Sequence, residues 1–314
     1  MIIVIRIGVV NIDVSHPKSF SEYLKKGDRA RYVAVYNDGF RTDNEVEEFI
    51  KDNGLEKRYK SIEEMADNVD IGFIQSCNWE NHIKQAMPFI DRGKPVFIDK
   101  PIVGSLADCR KLEELSANGA VILGSSSVRY AEEIVDFVNR PEEDRGKILN
   151  IFGTTGVDEF SYAIHIVEAI GGIAGVGAVS NKFVGQSEID GKKCETFYVK
   201  YASGLTAVYN VFLGKWQPFE MVIMTTNGTY QFRIDIGKIY GALLDRICSY
   251  METKVNTLAK IGEINESIKI MLAGRISREN GGIEVKLTDI PEDDKGYDGN
   301  LYEQIYAAGA KKRK

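Results

Sequence analysis

Three imidazoles, one lysine beside an aspartate and a few hydroxyls are the side chains of this 314-residue chain whose spacing suits proton transfer. The histidines number only 3, so imidazole acid–base work falls on His16, His82 and His165. Lys100 stands between Asp99 and Pro101, directly after the β-rich run from Pro95 to Ile98. A lysine at the carboxyl end of a parallel strand lies where doubly wound sheets bind ligands. Desolvation there lowers its pKa, which suits a group that polarises a substrate hydroxyl and tunes its proton loss. Asp99 reads as an orienter of that loop; the plainer alternative is a surface lysine with a carboxylate neighbour. His165 is placed by helical geometry. At about 100° per residue, Asp158, Ser161, His165 and Glu168 fall within one arc of roughly 80°, with Phe160, Ala163, Val167 and Ile170 on the other side. The polar stripe is expected to face a wet cleft, where His165 exchanges a proton with substrate beside Ser161 and Asp158. The competing reading is a histidine that caps or bridges at a domain interface.

The elements that must carry these groups follow a regular rhythm. Met1 to Val10 is a β-branched run, followed by turn residues and a helix with Pro17 at its opening. Strands are expected at Tyr32–Tyr36, Ile71–Gln75, Pro95–Ile98 and Val121–Gly124, with helices at Asp43–Asn53, after Ser61, at Asn81–Arg92 and at Leu106–Asn118. Strand, helix, strand at this spacing means parallel pairing with right-handed crossovers. Residues 1–127 therefore read as a doubly wound, nucleotide-binding type of domain. Residues 128–314 change character, with a helix at Glu159–Ile170 and long runs at Lys193–Tyr201, Leu205–Leu213, Met221–Thr226 and Thr229–Ile234. Gly204 and Asn227-Gly228 are hairpin signals between those runs. A helix at Glu263–Glu279 and a strand at Ile283–Leu287 complete an α+β domain on one large open, mostly antiparallel sheet. The fold class is α/β.

Composition narrows the partners. With 44% apolar and 27% charged residues the chain can bury a sizeable core. Its 46 acidic residues outnumber 40 basic ones, for a net charge of -6, and no general field attracts nucleic acid. Cys77, Cys109, Cys194 and Cys248 form no C-x-x-C pair, so reduced thiols, a cytoplasmic setting and no metal site are expected. The apolar stretch from Phe160 to Val179 contains His165, Glu168 and several glycines, so no membrane span is expected. The Lys311–Lys314 tail is read as a solvated basic end.

Three segments, in order and spacing, resemble the glucose-fructose oxidoreductase/inositol dehydrogenase (Gfo/Idh/MocA) family. Asp99-Lys100-Pro101 after Gly93-Lys94-Pro95 is similar to its Glu-Lys-Pro motif, Ser76 to His82 to its strand-end loop, and His165 to its catalytic helix histidine. The resemblance covers essentially the whole chain. It implies a Rossmann-type first domain, NAD as cofactor with NADP also open, and a sugar, cyclitol or polyol substrate. It also implies interconversion of a secondary alcohol and a ketone, and a homodimer or homotetramer paired through the outer face of the open sheet. Lys100 would polarise the reacting oxygen and His165 would carry its proton.

The first turn departs from that family. From Gly8 onward, Asn11, Asp13 and His16 stand where the three glycines of G-x-G-x-x-G are expected, with Ile12 and Ser15 between them. Asn and Asp tolerate positive φ best among non-glycine residues, so the turn itself can form. Asp13 would put a negative charge beside a pyrophosphate, whereas the helix near Pro17 still offers free N–H groups to one. His16 would donate to a phosphate or to a substrate. Asp38, 22 residues after His16, is placed to bind the adenosine ribose, and Arg41 leaves NADP open. Ser76 and Asn78 would line the cofactor loop, which His82 shapes. Arg129 would lie near substrate or form a structural ion pair, and Trp79 and Trp216 would line the cleft or pack in the core. The family aspartate four residues before the helix histidine is Ser161 here, so Asp158 or Glu168 would have to replace it. These departures keep two other classes open: a cofactor-deficient sugar-binding or regulatory homologue, and a non-redox lyase or hydrolase.

Overall fold

The computed structural model describes residues 4–124 and 126–312. The start of the first β-run, Ser125 and the end of the basic tail lie outside the described residues. In the first layer β1 (Ile5–Val10), α1 (His16–Leu24), β2 (Ala30–Tyr36), α2 (Asp43–Asn53), β3 (Lys57–Arg58), α3 (Ile62–Asp67), β4 (Ile71–Ile74), α4 (His82–Ile90), β5 (Val96–Ile98), α5 (Leu106–Ala117) and β6 (Ile122–Leu123) alternate, and of these only the two-residue β3 was not expected. The local chemistry explains the boundaries. Thr42 and Glu45 cap α2 reciprocally, and Ser61 and Ser105 accept the Glu64 and Asp108 N–H groups at the starts of α3 and α5. The strands β4 and β5 are buried at every position, as suits a sheet covered on both faces. All six strands are parallel, in the order β3-β2-β1-β4-β5-β6. The order reverses between β1 and β4, so their carboxyl ends flank the crevice at the topological switch point.

Beyond α6 (Glu132–Asn139) and the single turn α7 (Glu142–Arg145) come β7 (Ile148–Val157), α8 (Ala163–Ala174), β8 (Ala178–Ile189), β9 (Lys192–Tyr201), β10 (Thr206–Leu213), β11 (Glu220–Thr225) and β12 (Thr229–Arg233). The described chain continues through α9 (Ile239–Thr253), α10 (Ile261–Glu279), β13 (Val285–Lys286) and α11 (Gly299–Lys312). Seven strands form the second sheet in the order β12-β11-β7-β10-β9-β8-β13, antiparallel throughout except where β7 lies beside β10. Helices α8 and α10 cover one face of it, and α10 also packs on α5, joining the two layers. The α9 helix returns to the first layer, where Leu243, Leu244 and Ile247 share one apolar cluster with Ile5, Ile7 and Phe20.

One expected element moves. The helix around His165 begins at Ala163, because Val157 at φ 74 ends β7 and Asp158 Oδ1 accepts the Phe160 and Tyr162 N–H groups in a tight turn. Asp158 and Ser161 therefore sit on that turn, ahead of the helix. Packing in the first layer is close enough for one atom to matter: a Cβ on Gly72 of β4 would lie 2.5 Å from Cζ of the fully buried Phe89. Gly72→Ala should lower stability by about 1–3 kcal/mol through overpacking, read as a reduced urea midpoint. An unchanged midpoint would mean that Phe89 yields freely.

Candidate active site

The carboxyl edge of the first sheet gathers the chemistry-bearing groups. Asp99 follows β5 and is buried, and its Oδ2 accepts from His16 Nδ1 at 2.6 Å while Oδ1 accepts the Lys100 N–H at 2.7 Å. Burial alone would raise the Asp99 carboxyl, but the facing His16 ring, its hydrogen bond and Lys100 outweigh it and hold the pKa below the usual value. Asp99 is thus an ionised orienter inside the protein, and His16 is its partner. The ring of His16 stacks on Phe20 at 5.6 Å and meets Tyr240 at 5.4 Å and His165 at 6.5 Å edge-on. His16 therefore lies beside His165, with Asp99 bonded at Nδ1.

Lys100 reaches across to the second layer. Its Nζ donates to Ser161 O at 3.1 Å and to Ser161 Oγ at 3.4 Å and lies 5.4 Å from the Tyr162 ring centre. Burial pulls its pKa down against the raising effect of Asp99 and Asp158. His165 is held by Ser126, whose Oγ lies 2.7 Å from Nδ1 and also accepts the Val128 N–H. In the tautomer whose Nδ1–H donates to Ser126, Nε2 is a proton acceptor. Burial first, then the charges of Lys100 and His16, push the His165 pKa well below normal, so the ring is neutral at pH 7. The expectation of a wet polar stripe is corrected: Ser161, His165 and Glu168 are all buried, and Glu168 accepts the Ser126 N–H at 3.2 Å. Asp158 spends its carboxylate on the turn before α8, and burial raises its pKa.

The residues expected around a cofactor divide into three sets. Asn11 takes the left-handed turn at φ 64, as its side-chain type allows. Its side-chain amide joins the ends of β2 and β4, donating to Asp38 Oδ1 and Ser76 Oγ, both at 2.9 Å, and accepting the Asp38 N–H. Asp38 also accepts from Gln85. Ile12 is buried, and its N–H points to Asn37 Oδ1 at 3.4 Å. Ser15 is exposed ahead of α1, whose first turn has neither a side-chain cap nor an acidic residue. A second set is structural. Gly8 lies within β1 with Met65 and Val69 packed against it. Both nitrogens of His82 face backbone carbonyls, Ser76 O at 2.9 Å and Ile102 O at 3.1 Å. Arg129 is buried against Glu168 O and Glu263. Trp79 is buried against Phe160 and Tyr302, whereas Trp216 is exposed.

The third set is Asp13 with residues that sequence reasoning missed. Asp13 is buried, its Oδ2 accepts only a long 3.4 Å bond from the Cys77 N–H, and its Oδ1 has no hydrogen-bond partner among the described residues. Burial raises its pKa to about 7, and Glu303 adds to that rise. One ligand atom each from Asp13, Cys77 and Glu303 lie within 4.8 Å of one another, the group among the described residues that could hold a metal ion. Glu303 and Tyr302 come from α11, a segment without a motif. Neither Ser126, three residues before Arg129, nor Tyr240 of α9 was anticipated.

Comparison with known proteins agrees with this fold. Residues 5–126 match a family described as "Oxidoreductase family, NAD-binding Rossmann fold". No curated protein matches the chain. Among solved structures, a probable dehydrogenase from Thermotoga maritima superposes with a TM-score of 0.78 at 16% identity, covering 91% of this chain and 100% of that one. The scyllo-inositol dehydrogenase of Lactobacillus casei with bound NAD(H) and scyllo-inositol gives 0.77 at 15%, covering 91% and 100%. The myo-inositol dehydrogenase of Lactobacillus casei in complex with NAD(H) and myo-inositol gives 0.76 at 14%, covering 90% and 97%. Identities this low speak for the fold. Residues 5–126 thus match the model of that oxidoreductase family and carry a fold like its NAD-binding Rossmann fold.

Proposed function

We propose that this protein interconverts a secondary alcohol and a ketone on a sugar, cyclitol or related polyol with NAD as coenzyme. The observation that carries the reading is the convergence of Lys100, His165 and the His16–Asp99 pair, from both layers, at the carboxyl edge of the parallel sheet. The first turn suits a dinucleotide in two respects. Asn11 supplies the left-handed turn, and the uncapped N-terminus of α1 beside Ser15 presents N–H groups to a pyrophosphate. Asp38 is the acid for the adenosine ribose. When bound, the nicotinamide supplies the two-electron acceptor or donor for the carbinol carbon.

The chain's own residues manage the proton. Lys100, with its pKa lowered by burial, donates a hydrogen bond to the reacting oxygen and stabilises the charge that develops on it. His165, neutral and held at Nδ1 by Ser126, takes that oxygen's proton at Nε2 and returns it in the reverse direction. Asp99 keeps His16 in one orientation at the edge of the same cleft, and Ser161 fixes Lys100. A second reading, a non-redox elimination or hydrolysis, is favoured by the His16–Asp99 pair, because such chemistry needs a second positioned acid–base group and simple alcohol oxidation does not.

Fluorescence titration should show saturable NADH binding at up to millimolar coenzyme; its absence would leave a cofactor-deficient binding protein. A polyol panel followed by the absorbance of reduced nicotinamide then separates net redox turnover from conversion without coenzyme change. Lys100→Ala and His165→Ala should each lower kcat by roughly 10²-fold or more while NADH affinity stays within a few-fold. Turnover close to the parent's would remove both residues from the chemistry. Because burial depresses the His165 pKa, the neutral base persists as pH falls, and alcohol oxidation should lose rate on the acid side only well below pH 6.5. An acid limb centred near pH 6.5 would mean a solvent-like imidazole.

A further inference from the structure

The switch-point crevice is covered by the chain's own α11. Glu303 of this helix stands over Asp13, which follows β1, and Cys77, which follows β4. Beside it in the chain, Tyr302 lies on Trp79 with its hydroxyl 2.8 Å from Ser161 Oγ, and about one turn on Tyr306 meets Phe40 beyond β2. The helix thus spans from the loop after β2, across β1 and β4, to the residue that holds Lys100. A dinucleotide on a doubly wound sheet must follow this same path.

The seat is built for the helix. Gly299 at its start has no room for a side chain, since a Cβ there would press on Asn78 and Trp79. The Gly299 N–H and Asn300 Nδ2 both donate to the Glu80 carboxylate, and Asn78 Nδ2 donates to Asn300 and to Glu303. Yet the hold is shallow. Past Gly299 no described side chain of α11 is fully buried, and its large apolar residues Leu301 and Ile305 are 53% and 63% exposed. At the centre of the seat Glu303 faces another carboxylate, Asp13, whose Oδ1 has no hydrogen-bond partner among the described residues. Packing that leaves a buried acceptor unpaired is weaker than packing onto a satisfied site.

We propose that α11 is a displaceable strap over the coenzyme crevice, so that docking of α11 and binding of the dinucleotide exclude each other. The inference rests on the coenzyme reading above. The strap makes the released state the binding-competent one, and the apparent Kd exceeds the intrinsic value by the inverse of the released fraction. Release also frees Ser161, and with it the tie on Lys100, from the Tyr302 hydroxyl.

The experiment compares NADH titrations of the full chain, of a chain ending at Asp298 and of a full-length Asn300→Ala/Tyr302→Ala double variant, each checked for folding by its thermal transition. Hydrogen exchange of the α11 amides is followed in the full chain with and without NADH. Removing or loosening α11 should tighten NADH binding by roughly 10-fold or more, which corresponds to a released fraction of about 0.1 or less. NADH should also speed exchange across 299–312. The double variant decides the matter if the shortened chain does not fold. Equal affinity in all chains, or α11 amides that stay protected at saturating NADH, overturns the strap and leaves the coenzyme reading standing. No binding by any chain overturns that reading, and the strap falls with it.

Discussion

A carboxylate cannot stay ionised inside a protein without a partner, and the site is arranged around that constraint at Asp99. Its neighbours are forced choices: His16 at 2.6 Å on one oxygen and the Lys100 N–H on the other. The first contact ties the opening turn of α1 to the end of β5, two elements on opposite sides of the switch point. The position where the sequence reading expected a glycine is thereby occupied by an imidazole bonded to Asp99. The stacking of His16 on Phe20 and the approach of Tyr240 from α9 follow from the same anchorage, since an imidazole fixed at Nδ1 has only its faces and far edge left to pack.

How much of this could be read from residues alone depends on the range of the interaction. The first layer was legible because β-branched runs and capping residues are local: the expected Asp43–Asn53 helix is α2 to the residue, closed by Thr42 and Glu45 within one turn. Asn11 was legible as well, because tolerance of positive φ is a property of the side chain itself. The partner of His16 was not, since Asp99 lies 83 residues away and nothing local requires the pair. The helical wheel around His165 failed for a related reason. It assumed a helix through Asp158, whereas a left-handed Val157 and a side-chain-bonded turn end the strand there, and the stripe it identified is buried against Ser126. Strand β7 went unseen because Gly153, Thr154, Thr155 and Gly156 have weak β patterning, and tertiary pairing with β10 and β11 imposes the strand.

The site combines two kinds of electrostatic solution. Asp99 remains charged because it is paired, whereas His165 and Asp13 are pushed toward neutrality because they are buried with too little compensation. Groups forced apart in this way mark places where a proton can be held or released near neutral pH. They also explain why Lys100 is tied to Ser161 in the second layer, since a desolvated ammonium needs oxygen acceptors wherever it can reach them.

The chain order of the covering helix has a consequence during synthesis. The first sheet is complete once β6 ends at Leu123, and α11 does not begin until Gly299, 176 residues later. At about 5–20 residues per second, that separation corresponds to roughly 9–35 s. For that interval the nascent chain contains the strands that form the crevice and none of α11, so the order of synthesis supplies the crevice before its cover.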